Sequence, residues 1–194
     1  MRAGAVTPAR THSPGYHRRM GGDADEYTPA ALARLVLSDR ARDVVDDALR
    51  LVPTLDQISA SELLTQALRV RSQVDKLVTA AVLNAREQGA SWAAIAVLVG
   101  IRTESVAERW LPDEQSWHAG LAQPMRVVPG EELPQLAVPQ AAYAPDVYAR
   151  DLDGWALRHV DPVEHARWRE RGKDPSRSVS GGLQPETPYG ESDR

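Results

Sequence analysis

Between Gly89 and Trp110 the chain reads G-A-S-W-A-A-I-A-V-L-V-G-I-R-T-E-S-V-A-E-R-W. This stretch leaves the backbone little freedom. Ser91 is placed to cap a helix, because its hydroxyl can accept from the free amides of a first turn. Ile95, Ala96 and Val99 recur at i, i+1 and i+4, which is one face of that helix. Gly100 stands where the helix must stop and the backbone needs a left-handed residue. Ile101 follows as an apolar plug, Thr103 can cap a second helix, and Val106 points back at the first. The small Ala96 lets the two helices cross closely. The spacing predicts a helix-turn-helix unit, whose second helix can enter a DNA major groove.

The pattern G-x-S-x-x-x-I-A-x-x-x-G-I-x-x-x-x-V is similar to the helix-turn-helix of sigma factor region 4 and of LuxR-type response regulators. The wording A-R-E-Q-G-A-S-W-A-A-I-A, with R-W at its end, resembles small helix-turn-helix proteins of actinobacteria. The resemblance covers residues 74–110, about a fifth of the chain. It implies a three-helix domain and double-stranded DNA as partner. Contacts are then expected from Ser91, Trp92, Arg102, Thr103, Glu104, Ser105, Ala107, Glu108 and Arg109. Two positions depart from the pattern. Ala94 stands where the relatives usually have Glu, so the capping-box partner of Ser91 is lost. Arg102-Thr103-Glu104-Ser105 replaces a polar or basic reading stretch.

Charge sets a bound on that reading. Net charge is −4, and residues 56–110 hold six basic and six acidic side chains. Affinity for phosphate follows the local count of cations, so sequence-independent coating of nucleic acid is not expected. Glu104 and Glu108, four apart on one face, meet phosphate repulsion, although a Glu can accept from cytosine N4. The alternative is an interaction module that keeps the fold and binds a partner protein through Trp92, Trp110 and the acidic face. An absence of Cys rules out disulfide staples and Cys-ligated metal. The longest apolar run, Trp92 to Gly100, is under half of the roughly 20 residues a bilayer needs. With no apolar run after Arg18-Arg19 to make an export signal, the cytoplasm is the expected compartment.

Residues 1–27 lack periodicity and read as a disordered tail; Met20 is a candidate start. Helices are expected over 28–58: Thr28-Pro29 is a cap followed by Pro at N1, Ser38-Asp39 can restart the helix, and Pro53 ends it. Residues 59–111 form the long helix and the helix-turn-helix. Ser59 and Glu62 make a capping box, and Leu63, Ala67, Val70, Val74, Leu77 and Ala81 alternate spacings of four and three, a coiled-coil-like seam. That seam predicts a homodimer. Pro112 is expected to break the chain, and six prolines between 112 and 145 read as a linker, with short strands at Val127-Val128 and Leu136 to Val138. Residues 146–172 regain helical pattern, with Asp161-Pro162-x-Glu164 as a start signal and Gly172 as a stop. Residues 173–194 read as a disordered tail.

Chemistry is sparse. His159, Asp161, Glu164 and His165 lie close together, but helix capping already explains the two acids, so no metal is expected. Arg167, Arg169, Arg171, Lys173 and Arg177 surround Trp168 and read as a solvated face. Nucleophile elbow, P-loop, dinucleotide-binding glycines and H-E-x-x-H are all missing. The sequence therefore predicts an all-α, non-enzymatic protein with no cofactor. A helical bundle with a helix-turn-helix domain, a Pro-rich linker and disordered ends would bind DNA and regulate transcription.

Overall fold

The computed structural model describes residues 27–53, 58–127, 130–131 and 133–183. Seven α-helices dominate these residues: α1 (Pro29–Leu49), α2 (Ala60–Glu87), α3 (Trp92–Val99), α4 (Thr103–Ala122), α5 (Gln140–Tyr143), α6 (Pro145–His159) and α7 (Pro162–Glu170). A two-stranded antiparallel ladder joins β1 (Met125–Arg126) to β2 (Gln135–Leu136), pairing Met125 with Leu136. The chain is thus mostly helical, as its periodicity predicts. Residues 1–26 of the expected tail at 1–27, the candidate start at Met20 and the strand position at Val128 lie outside the described residues, whereas Tyr27 is half-buried against the main core.

Caps define the first hairpin. Thr28 Oγ1 accepts from the Ala31 amide at 3.1 Å, and Pro29 fills N1, where a missing amide costs nothing. Helix α1 then runs unbroken past Ser38-Asp39, because Asp39 is buried and salt-bridged to Arg42 at 2.5 Å instead of capping a new helix. Ser59 and Glu62 complete the capping box at the start of α2, with amide bonds of 3.2 and 2.9 Å. The two helices run antiparallel and meet along most of α1. Near the distal end of the hairpin, buried Asp47 ties them together. Its carboxylate accepts from Arg50, Arg69 and Gln73, while its carbonyl accepts from Gln66.

The main core gathers Leu32, Leu35 and Val36 of α1 with Ala80 of α2 and Trp117 of α4. Val138, Ala141, Leu152 and Leu183 close it from the C-terminal part. Two expectations fail here. Pro112 does not end its helix: α4 continues to Ala122. An internal Pro removes one backbone bond and costs about 3 kcal/mol. The downstream turns offset that cost by burying Trp117, since a fully buried large apolar side chain contributes about 1.5–3 kcal/mol. Residues 112–145, read as a linker, consequently carry core positions. After the ladder the chain passes so close to α4 that a Cβ on Gly120 would sit 2.6 Å from the Ala137 carbonyl oxygen.

The second correction concerns residues 173–183, expected to be disordered. They form two 3-10 turns, Pro175–Arg177 and Ser180–Gly182, packed on α6. Asp153 accepts from the amides of Val179 (2.7 Å) and Ser180 (3.2 Å), and Pro175 and Leu183 are buried. Composition favoured disorder, but these long-range bonds satisfy the backbone. Residues 184–194 lie outside the described residues.

Candidate nucleic-acid interface

A second, smaller core forms where α3 and α4 cross the end of α2. Ile95 and Ala96 of α3 pack on Val106 and Trp110 of α4 and on Val82 of α2, with Ala85, Ala90 and Trp92 at the margin. Ser91 caps α3 by accepting from the Ala94 amide at 3.1 Å. Gly100 has φ +76° and closes the helix with a 2.9 Å bond from its amide to the Ala96 carbonyl. Only glycine holds that backbone without strain. The cap of α4 falls on Arg102, not on Thr103 as expected, and no side chain bonds its first-turn amides. Those free amides stay at the surface.

The corner is braced by Arg86, which no periodicity or motif singles out. Its guanidinium donates to Glu114 (2.9 Å) and to the Ala90 carbonyl (2.6 Å), and lies 4.4 Å from the centre of the Trp92 ring. One side chain thereby links α2, the turn before α3 and the second half of α4. Glu87 repeats the device on the next residue, accepting from Trp117 at 2.9 Å and pairing with His118 at 2.7 Å. Trp110 Nε1 donates to Thr79 at 3.3 Å. Partners 28 to 31 residues apart leave no periodic trace in a sequence.

The expected contact residues spread over the outside of this corner. Ser91, Arg102, Thr103, Glu104, Glu108 and Arg109 are exposed; Trp92, Ser105 and Ala107 are half-buried. Val106 and Trp110, on the opposite side of α4, are 0% and 2% exposed. The structure therefore splits the helix into a packed face and a free one. Arg109 is not wholly free, because its guanidinium lies 4.7 Å from the Trp110 ring centre. The free face balances Arg102 and Arg109 against Glu104 and Glu108. Beside it, the outer side of α3 is apolar: Val97 and Leu98 are 83% and 85% exposed.

The C-terminal candidates separate. Asp161 caps α7 through the Val163 amide, Glu164 pairs with Arg167, and His159 stacks on Trp155 at 4.3 Å. Among the described residues, no three His, Asp or Glu side chains gather to hold a metal ion, and no helix is long and apolar enough to cross a membrane. No family model matches this chain, and neither a curated protein nor a solved structure matches it.

Proposed function

We propose that the α3–α4 corner is a helix-turn-helix that binds double-stranded DNA, with α4 as its reading helix, and that the protein regulates transcription. One observation carries this reading. The first two turns of α4 are held out from a three-helix unit, with Val106 and Trp110 locked inward and Arg102, Thr103, Glu104 and Glu108 outward. A helix presented in this way can lie along a major groove. Arg102 stands at its entry, where a side chain reaches a base edge or the nearest phosphate. The uncapped amides of the first turn offer further donors to phosphate.

Magnitudes limit how such a corner can work. Two cations per copy give little electrostatic pull, so most of the discrimination rests on direct contacts. A bidentate Arg102–guanine pair would supply about 1–3 kcal/mol. Fluorescence anisotropy with a pool of random duplexes at low salt tests the reading. Wild type is expected to bind and Arg102→Ala to bind more weakly. The double variant Glu104→Gln/Glu108→Gln should bind more tightly, because two repulsive charges are gone. If neither wild type nor the Gln variant binds the pool, DNA recognition is wrong.

A second reading is favoured by a different observation, the apolar surface of α3. Val97, Leu98 and Ile101 are exposed to solvent, as are Glu104 and Glu108 of the adjoining α4. Exposed apolar residues with an acidic border suit a basic, amphipathic partner protein. In that case Val97→Ser/Leu98→Ser abolishes partner capture and leaves anisotropy with DNA unmoved.

A further inference from the structure

The hairpin of α1 and α2 carries half of an interface. The coiled-coil-like seam of α2 is only partly used: Val70 and Leu77 are half-buried toward α1, whereas Leu63, Ala67, Val74 and Ala81 are exposed. Gln66 and Gln73, which bond Asp47, mark the α1-facing side of α2. Leu63, Ala67, Val74 and Val78 follow about a quarter turn further round, at 100° per residue. On α1, Val45 is exposed as well, and Val52 is exposed just beyond the end of that helix. Helix α6 packs elsewhere on α1, through Arg42–Asp151 and the bond from Trp155 to Asp46.

We infer that this face is a homodimer interface, where two hairpins pair about a two-fold axis into a four-helix bundle. The inference does not rest on the reading of the α3–α4 corner. Three observations support a second copy as the occupant. The first is area. From Leu63 to Val78 the face is roughly 24 Å long, and two helices make it roughly 20 Å wide. That flat footprint of roughly 500 Å², enlarged by its side chains, approaches the ~600 Å² per partner at the lower end of specific dimers. The second is continuity, because a seam with alternate positions already packed needs a further helix to cover the rest. The third is charge. Arg71 and Asp75 border the stripe, are exposed, and make no ion pair among the described residues although one helical turn apart. A two-fold axis between them sets each Arg71 beside the partner's Asp75, which is self-complementary.

Sedimentation velocity on the full chain tests this. At tens of micromolar the wild type should sediment as twice 21.2 kDa. Val74→Glu/Val78→Glu should convert it to monomer while helical circular dichroism is retained, since both side chains are 39% exposed in the single copy. Arg71→Asp alone should weaken dimerisation at least tenfold, and Arg71→Asp/Asp75→Arg should restore it. The charge pair remains a test if the Glu variant loses helicity. A wild type that stays at 21.2 kDa overturns the inference. So does a dimer that neither the Glu variant nor Arg71→Asp disturbs.

Discussion

Two side chains hold more of this molecule together than their neighbours do. Arg86 satisfies Glu114 and the Ala90 carbonyl and covers the Trp92 ring. A hydrogen bond to a charged group contributes about 1.5–3 kcal/mol, so Arg86→Ala should cost about 2 kcal/mol in urea unfolding. A loss within 0.5 kcal/mol, the usual range for an ordinary surface substitution, would contradict the bracing role. Asp47 makes a pH-dependent tie. Burial pushes its carboxyl up, but the bond from Gln73 and the charges of Arg69 and Arg50 outweigh burial and hold it below its ordinary 3.8. The ionised form is the one the fold favours. Its contribution is therefore complete above the ordinary value and is lost as pH falls through the lowered one. Asp47→Asn should destabilise the protein at neutral pH, and the gap to wild type should close under strongly acid conditions. A gap independent of pH would contradict that account. Ser91 and Gly100 were legible in the sequence because their partners lie within a turn. Arg86 and Asp47 were not, since the bonds that tie them to another helix, from Gln66, Arg69 and Gln73 to Asp47 and from Arg86 to Glu114, span 19 to 28 residues.

At the scale of elements, α4 is where sequence and fold disagree. Pro112 reads as a stop, yet the helix runs on for ten residues to reach Trp117 and Gly120. Pro112→Ala restores an amide for the Glu108 carbonyl. It should stabilise the protein by about 2 kcal/mol, the roughly 3 kcal/mol of an internal Pro less its unfolded-state benefit. A fall in melting temperature would mean that the proline shapes α4 in a way the packing needs. Gly120→Ala should act in the opposite direction, because the added Cβ meets backbone at Ala137, which cannot swing aside. A loss of about 1–3 kcal/mol is expected in thermal melts. Local propensity exposed the caps of α1, α2, α3 and α7, each a short-range bond. It could not expose a helix whose continuation depends on contacts with α2 and with residues 137–138.

The whole molecule is built around α2, which serves two cores. Ala80 faces the main one, Val82 faces the corner, and the distal half carries the open seam. That layout was partly visible beforehand, because the apolar positions of α2 are too many for one partner. Which partner takes which stripe was not visible, since periodicity gives angles on a helix but not neighbours. The proposed DNA reading rests on the outer face of α4, and electrostatics supplies the direct test. Binding to duplex DNA releases counterions in proportion to the phosphates neutralised, with a slope of log K against log salt of about −0.9 per contact. Arg102 and Arg109 are the cations of that face, so the slope should be close to −2 per copy, or about −4 for a dimer. The measurement is anisotropy of a labelled duplex titrated across a salt series, for wild type and for Arg102→Ala. The account predicts this shallow slope for wild type and a loss of about one unit per copy in the variant. No binding even at the lowest salt, or an Arg102→Ala variant that changes neither the slope nor the affinity, would contradict the assignment of α4 as a DNA-reading helix.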